Sequence, residues 1–203
     1  MSYRNFNARV ADLCRINTGL TVRGKLESAR EGVRAAQMRD VVPGQDVDID
    51  ALPLVNLDLP SEKYLVSGGE VLFRSRGETN TASVVADSGA GAAAAILPLI
   101  ILRPDKTRIL PHYLAWAINH RRAQQFLGAS SQGQTIRMIP MSVLEQLEIP
   151  LPSLAAQHRI VATHELALRE VRLLHRLADR REHLASLLLD QRAQLASQQG
   201  YAQ

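Results

Sequence analysis

Residues 142–160, Ser-Val-Leu-Glu-Gln-Leu-Glu-Ile-Pro-Leu-Pro-Ser-Leu-Ala-Ala-Gln-His-Arg-Ile, divide the chain into two physically different parts. Pro150 and Pro152 lack an amide hydrogen and force the residues before them to be extended, so neither fits inside a helix or a central strand. Upstream, Ser142 and Glu145 have capping-box spacing for a short helix that runs into an apolar strand ending at the prolines. Downstream, Ser153 is a good N-cap. Beyond it apolar residues recur at threes and fours: Ile160, Ala167, Val171, Leu174, Ala178, Leu184, Leu188 and Leu195, with no Pro or Gly before Gly200. This period predicts a helix of some forty residues with one buried stripe, longer than a small domain can cover. His164, Arg181 and Arg192 interrupt the seam, which disfavours a parallel zipper and favours an antiparallel partner helix. The expected architecture is α+β, with one globular domain over 1–152 and a long helix over 153–203 forming an antiparallel coiled coil.

Within the globular part, Val10–Ile16 begins the domain and Val33–Val42 reads as a strand ending in a loop. Pro43–Asp50 is an acidic loop marked by Gly and Pro, expected to be solvated. Glu70–Arg74 alternates after the Gly68-Gly69 turn and reads as a strand, as do Thr81–Ala86 and Ile96–Leu102. Pro111 in a first turn and Gly128 just past an end bracket one helix, with Leu114, Ala117, Ile118 and Arg121 on a shared face. Gly128–Gly133 reads as a polar loop, and Ile136–Ile139 as a short strand.

Composition excludes several classes. The longest apolar run, Ala92–Ile101, is too short to span a membrane, and no signal-peptide pattern is present, so a cytoplasmic protein is expected. The single cysteine, Cys14, excludes an internal disulfide framework or a multi-cysteine zinc site and reads as a small buried hydrophobe. Residues up to Pro152 carry 17 Lys and Arg against 15 Asp and Glu, and the remainder 7 against 5, far short of a charge-driven DNA coat. All the cations except Lys25, Lys63 and Lys106 are Arg, whose forked donors suit phosphate and guanine edges; a GC-rich codon bias produces the same excess.

Val84-Val85-Ala86-Asp87-Ser88-Gly89-Ala90-Gly91 has the look of a cofactor-gripping strand and Gly-rich turn, but that chemistry needs a helix after the glycines and an acidic residue on a second strand. Ala92–Ile101 has no helical period, so a hairpin loop joining two strands is expected instead. Asp46, Asp48 and Asp50 alternate without the Glu-x-Lys that completes a magnesium nuclease set. His112 with His120, and His158 with His164, lack metal spacing, and Ser130-Ser131 has no adjacent base. The expectation is no catalytic residue, no metal and no cofactor.

The chain resembles the specificity subunit of type I restriction-modification systems. The resemblance is carried by Ile149-Pro150-Leu151-Pro152 with Gln157 and Ile160; by Thr18-Gly19, Gly24-Lys25, Gly32-Val33 and Gln37-Met38-Arg39-Asp40; by Gly68 to Gly77; and by Leu110-Pro111-His112-Tyr113-Leu114 followed by Gly128, Gly133 and Ile136. These motifs cover nearly the whole chain in the family's order. Ala156 stands where the family has Glu. The family member holds two recognition domains and two helices, and this chain holds one of each with no internal repeat, so it resembles a half-subunit.

The resemblance implies a non-catalytic reader of double-stranded DNA that recognises one half of a split target. It implies a helix that sets spacing and docks DNA methyltransferase subunits, which carry S-adenosylmethionine and methylate adenine, with a restriction/translocase subunit joining for cleavage in phage defence. A half-subunit implies a homodimer through Ile160–Leu195. Base edges are read by amide and guanidinium groups on loops, while phosphates fix register. The candidate contacts are Arg74, Arg76, Asn80 and Thr81; then Gln132, Gln134, Thr135 and Arg137; and, more weakly, Gln37 and Arg39. Two alternatives stay open: a recognition module of a related phage-defence or methyltransferase system, and a coiled-coil interaction protein that binds no DNA.

Overall fold

The computed structural model of the chain describes residues 7–24, 26–77, 80–89, 91–130 and 138–200, with side chains as far as residue 194. Strand β1 (Asn7–Arg9) leads through a single helical turn, α1 (Val10–Leu13), into β2 (Cys14–Thr18). Seven strands come next: β3 (Ser28–Ala36), β4 (Leu54–Val55), β5 (Leu65–Val66), β6 (Val71–Arg74), β7 (Ala82–Val84), β8 (Ala93–Ala95) and β9 (Leu99–Pro104). Helices α2 (Pro111–Asn119), α3 (Arg121–Ala129) and α4 (Met141–Gln146) precede β10 (Glu148–Pro150) and the long helix α5 (Leu154–Gly200). This is the expected α+β class.

Strands β2-β9-β6-β7 form an antiparallel sheet, β4-β3-β8-β5 a mixed one in which only β3 and β8 run parallel, and β1 pairs with β10. The first sheet is the centre of the domain because it is covered on both faces. Val71 and Phe73 of β6 and Ile100 and Leu102 of β9 pack against Leu13, Leu114, Ile118 and Leu144 from the helices. Leu72, Leu99 and Ile101, on the opposite face, pack against Ala36, Val47, Val66, Ala93 and Ala95 of the second layer. A strand buried on both sides reads as a continuous apolar run, so β6 does not alternate as expected: Val71, Leu72 and Phe73 are all 0% exposed.

Several local expectations are corrected. The strand placed at Val33–Val42 starts earlier and ends at Ala36, and a tight turn at Met38–Asp40 comes after it, stapled by Asp40 Oδ2 accepting from Gln37 N at 2.7 Å. The acidic loop is not simply solvated, since Val47 and Ile49 are core residues. The Gly-rich segment after β7 is no hairpin; it crosses from one sheet to the other, with Ser88 Oγ donating to Asp50 Oδ2. The single helix expected between Pro111 and Gly128 is two, broken at His120, whose backbone is extended. Arg121 therefore leaves the face of Leu114, Ala117 and Ile118 and is exposed. Helix α4 starts at Met141 with Pro140 as its N-cap, so Ser142 and Glu145 form no capping box.

The proline-marked junction behaves as its sequence dictates at Ser153, which caps α5 through Ala156 N and Gln157 N. Gln157, fully buried, then ties the first turns of α5 into the domain: its Oε1 accepts from Leu110 N at 2.9 Å, and its Nε2 donates to Arg108 O at 3.0 Å and Pro152 O at 2.9 Å. The compact unit accordingly runs to Val161, and Ala162–Gln203 is a separate unit. Over residues 165–194 of that second unit the described side chains are almost all exposed, including Leu166, Leu173, Leu177 and Leu184.

Candidate nucleic-acid interface

Three guanidinium groups of the domain, those of Arg103, Arg34 and Arg108, are tied to the fold. Arg103 makes a 2.7 Å ion pair with Glu70, donates to Asn17 Oδ1 at 2.6 Å, and donates to Leu65 O at 2.7 Å. Arg34 donates to Asp50 O and Leu52 O, and Arg108 to Asp12 O. These arginines hold loops. The arginines that the sequence reading singles out, Arg74, Arg76 and Arg39, lie along a rim of a different kind.

The rim is built where β6, the β8–β9 turn and the end of β3 meet. Ser75, just past β6, donates from Oγ to Pro98 O at 2.6 Å and from its backbone to the same oxygen at 3.3 Å. Pro98 follows Leu97 through a cis peptide bond, and Leu97 N donates to Leu20 O while Ile96 N donates to Ala36 O. Gly19 lets these backbones meet, because a Cβ there would lie 2.8 Å from the Ala95 carbonyl oxygen. Gln37 and Arg39 follow Ala36 directly, and with Thr21, Val22, Leu26 and Leu97 they line a groove of about 400 Å³. The first and third sets of sequence candidates, remote in the chain, are thus linked by a short run of backbone hydrogen bonds.

Arg74 and Arg76 occupy the other end of this rim. Arg74 Nε donates to Arg76 O at 3.2 Å, and its guanidinium lies over Gly77, where φ is +117° and a Cβ would meet Arg74 Nη2 at 2.7 Å. Only glycine permits that conformation and that approach together. Arg76 is exposed, its backbone pairs with Met138, and Ile139 N donates to Ser75 O at 2.8 Å. Arg39 is 68% exposed along its side chain, with only a loose 3.9 Å contact to Asp40. The segment of Arg74 and Arg76 is thus joined to that of Gln37 and Arg39 through the backbone of Ile96–Pro98.

Asn80 and Thr81 take a different part. They are 6% and 4% exposed, with Asn80 Nδ2 donating to Arg74 O and Thr81 Oγ1 donating to Asn119 Oδ1. Their side chains shape the segment that carries the arginines. Gln132, Gln134, Thr135 and Arg137 lie outside the described residues. Sequence reasoning missed Asn119, Gln124 and Arg103, each of which bonds segments far from it in the chain. Among the described residues no group of His, Cys, Asp and Glu is arranged to hold a metal ion, and no helix is long and apolar enough to cross a membrane.

A second open groove, of about 740 Å³, lies between α2–α3 and the β1–β10 pair, with Trp116, Phe126, Arg9 and Arg122 among its lining residues. Tyr113 and Trp116 pack at 5.3 Å between ring centroids, and Tyr113 Oη donates to Pro150 O, which ties α2 to β10.

Comparison with known proteins gives this geometry a context. The profile of the "Type I restriction modification DNA specificity domain" matches residues 8–165. Among solved structures, the fold is similar to the HsdS subunit of Thermoanaerobacter tengcongensis, at 20% identity and a TM-score of 0.63, over 87% of this chain and 40% of that one. It is similar to a chain from a structure of type I restriction-modification complex assembly and conformational transition, at 21% identity and a TM-score of 0.63, over 84% and 40%. The S subunit of M. genitalium matches at 17% identity and a TM-score of 0.54, over 85% and 42%. At these identities the likeness is one of fold, and the chain spans about 40% of the length of the solved subunits. No curated protein matches it. The specificity domain is the non-catalytic, DNA-recognising component of its systems, and with the profile covering most of the chain, this protein belongs to the type I restriction-modification DNA specificity domain family.

Proposed function

We propose that the globular domain reads one half of a bipartite duplex target through the rim of Arg74, Arg76, Gln37 and Arg39, and has no catalytic activity of its own. The observation that carries this reading is the exposed Arg76 guanidinium, set beside the tethered Arg74 on a frame of backbone hydrogen bonds in a DNA-specificity domain. Rigid framing matters because a forked donor discriminates guanine only when its two bonds fall in the plane of the base edge. Gln132, Gln134, Thr135 and Arg137 are proposed as further contacts with the duplex. Asn80 and Thr81 act from behind the rim.

On this reading α5 spaces and connects: a second copy of the chain pairs with it in antiparallel fashion through the leucine-rich surface, and the DNA methyltransferase subunits dock on the assembly in the cytoplasm. A translocating nuclease subunit joins for cleavage of phage DNA. Two identical readers related by a two-fold axis require an inverted-repeat target.

Duplex binding across a salt series, with the methyltransferase present, tests the core of the proposal. Affinity for target and random duplexes is expected to fall steeply with salt, because phosphate neutralisation releases counterions. Arg76→Ala distinguishes two roles. A base contact costs about 1–3 kcal/mol on the target alone, whereas a phosphate contact weakens all sequences and reduces the salt slope by about one. Salt-independent binding, or selection of an asymmetric target by the homodimer, refutes the reading.

A further inference from the structure

The outer edge of the central sheet is closed in two ways: Val47 bridges it at Val84–Ala86, and at Ala82 a helix corner does so in place of a strand. Arg74 N donates to Thr81 O at 2.8 Å, which makes Arg74 and Thr81 a hydrogen-bonded pair. The next pair, Phe73 with Ala82, is then of the other kind, so the N–H and C=O of Ala82 point away from β6. Ala82 is 1% exposed, and water does not reach these groups. The carboxamide of Asn119 meets them as the peptide of a further strand does: Oδ1 accepts from Ala82 N at 2.8 Å, and Nδ2 donates to Ala82 O at 2.7 Å. The same Oδ1 accepts from Thr81 Oγ1 at 3.0 Å.

Gln124, in the first turn of α3, extends this grip by one residue. Its Nε2 donates to Asn80 O and to Ile118 O, both at 2.8 Å. Asn80 in turn donates to Arg74 O at 3.2 Å. A chain of side-chain bonds therefore runs from the α2–α3 corner through residues 80–82 to the carbonyl of the first rim arginine. Asn119 is the last residue of α2, and the extended backbone at His120 then restarts the chain as α3, so the break brings both amides to the same strand end.

We infer that Asn119 and Gln124 are positioning residues for DNA specificity, fixing from behind the segment that presents Arg74 and Arg76. The inference rests on the reading that these arginines meet the duplex. It gives the break between α2 and α3 a purpose: a hydrophobic edge contact would bury Ala82 equally well in area but would leave its two polar groups unpaired, at a cost that selects the amide.

The test uses Gln124→Met, which keeps length and removes both donors, and Thr81→Val, which keeps shape and removes the hydroxyl. In the full chain, amide hydrogen exchange over 71–84 is read first, because it needs no DNA. Both variants are expected to exchange at least about tenfold faster there, with the remainder of the sheet unchanged. With the methyltransferase present, the preference for the selected target over random duplex is expected to drop about tenfold at an unchanged salt slope, since phosphate contacts are untouched while base contacts lose their aim. A general loss of folding in the first variant leaves the second to carry the test. Unaltered exchange, or unaltered preference in both variants, overturns the inference. A wild-type chain with no preference among duplexes instead overturns the DNA-reading proposal, while the exchange result still decides whether the corner holds the segment.

Discussion

Gln157 shows how much one buried amide can settle. All its hydrogen-bonding valences in the fold go to backbone of two other segments: Leu110 N, Arg108 O and Pro152 O. Gln157→Leu fits the volume but leaves a buried donor and two acceptors unmatched, each costing about 1–3 kcal/mol less whatever water recovers. A net loss of about 2–4 kcal/mol in urea unfolding is expected; a change below about 0.5 kcal/mol would mean that the amide does not close the junction. Cys14 is the other informative residue. Burial pushes its thiol up to about 12 from the ordinary 9.0. The thiolate is the reactive form, so slow modification by thiol reagents at pH 8 in the folded chain, and rapid modification in urea, is the expected pattern. The folded pKa is the raised one, so the group's contribution to stability is complete below pH 9, declines as the unfolded chain ionises, and is lost as pH rises toward 12. Denaturation midpoints measured from pH 8 to 11 check this, with Cys14→Ala abolishing that part of the decline.

At the scale of elements, α5 departs from a simple two-helix seam. At about 100° per residue, Ile160, Ala167, Val171, Leu174 and Ala178 fall on one stripe. Leu166, Leu173, Leu177, Leu184 and Leu188 drift onto a neighbouring stripe roughly a quarter-turn away, and the side chain of Leu195 lies outside the described residues. Leu173, Leu177, Leu184 and Leu188 are 54%, 47%, 56% and 52% exposed. An apolar surface this wide is more than a single antiparallel partner covers, and on the proposed function it accommodates both a second copy and a docked subunit. Leu174→Glu and Leu177→Glu, one on each stripe, separate the two contacts. The variant on the self-pairing stripe is expected to convert a dimer to a monomer by light scattering, and the other to lose methyltransferase binding while staying dimeric. If both variants keep the wild-type mass and partner binding, α5 is no connector.

The molecule as a whole joins a double-layered domain to a helix that only its first turns belong to. The domain boundary matters for experiment: ending the chain at Pro152 deletes Gln157 and with it the closure over Leu110, whereas ending at Val161 keeps the compact unit intact. The Val161 version is expected to unfold cooperatively at a midpoint close to that of the full chain, and the Pro152 version at a distinctly lower one.

The sequence by itself determined the features governed by neighbours along the chain. Prolines forbid helix at 150–152, Ser153 caps the long helix, and an unbroken 3.6-residue period propagates α5 without help from elsewhere. Glu70–Arg74 and Ile96–Leu102 are legible as strands from the turn residues beside them, although the alternation expected of the first is absent because β6 is buried on both faces. Only the tertiary structure decided that both strands lie in one sheet covered on two faces, and that Asn80 and Thr81 turn inward while Arg76 stays exposed. It also decided that the segment of Gln37 and Arg39 is joined to that of Arg74 through the backbone of Ile96–Pro98, and that a helix breaks at His120 so that Asn119 can bond Ala82. The physical reason is range. Periodicity and caps are encoded within a few residues, whereas each of these outcomes is set by a hydrogen bond or packing contact between segments far apart in sequence, such as the 37 residues between Ala82 and Asn119, and such pairings leave no local signature.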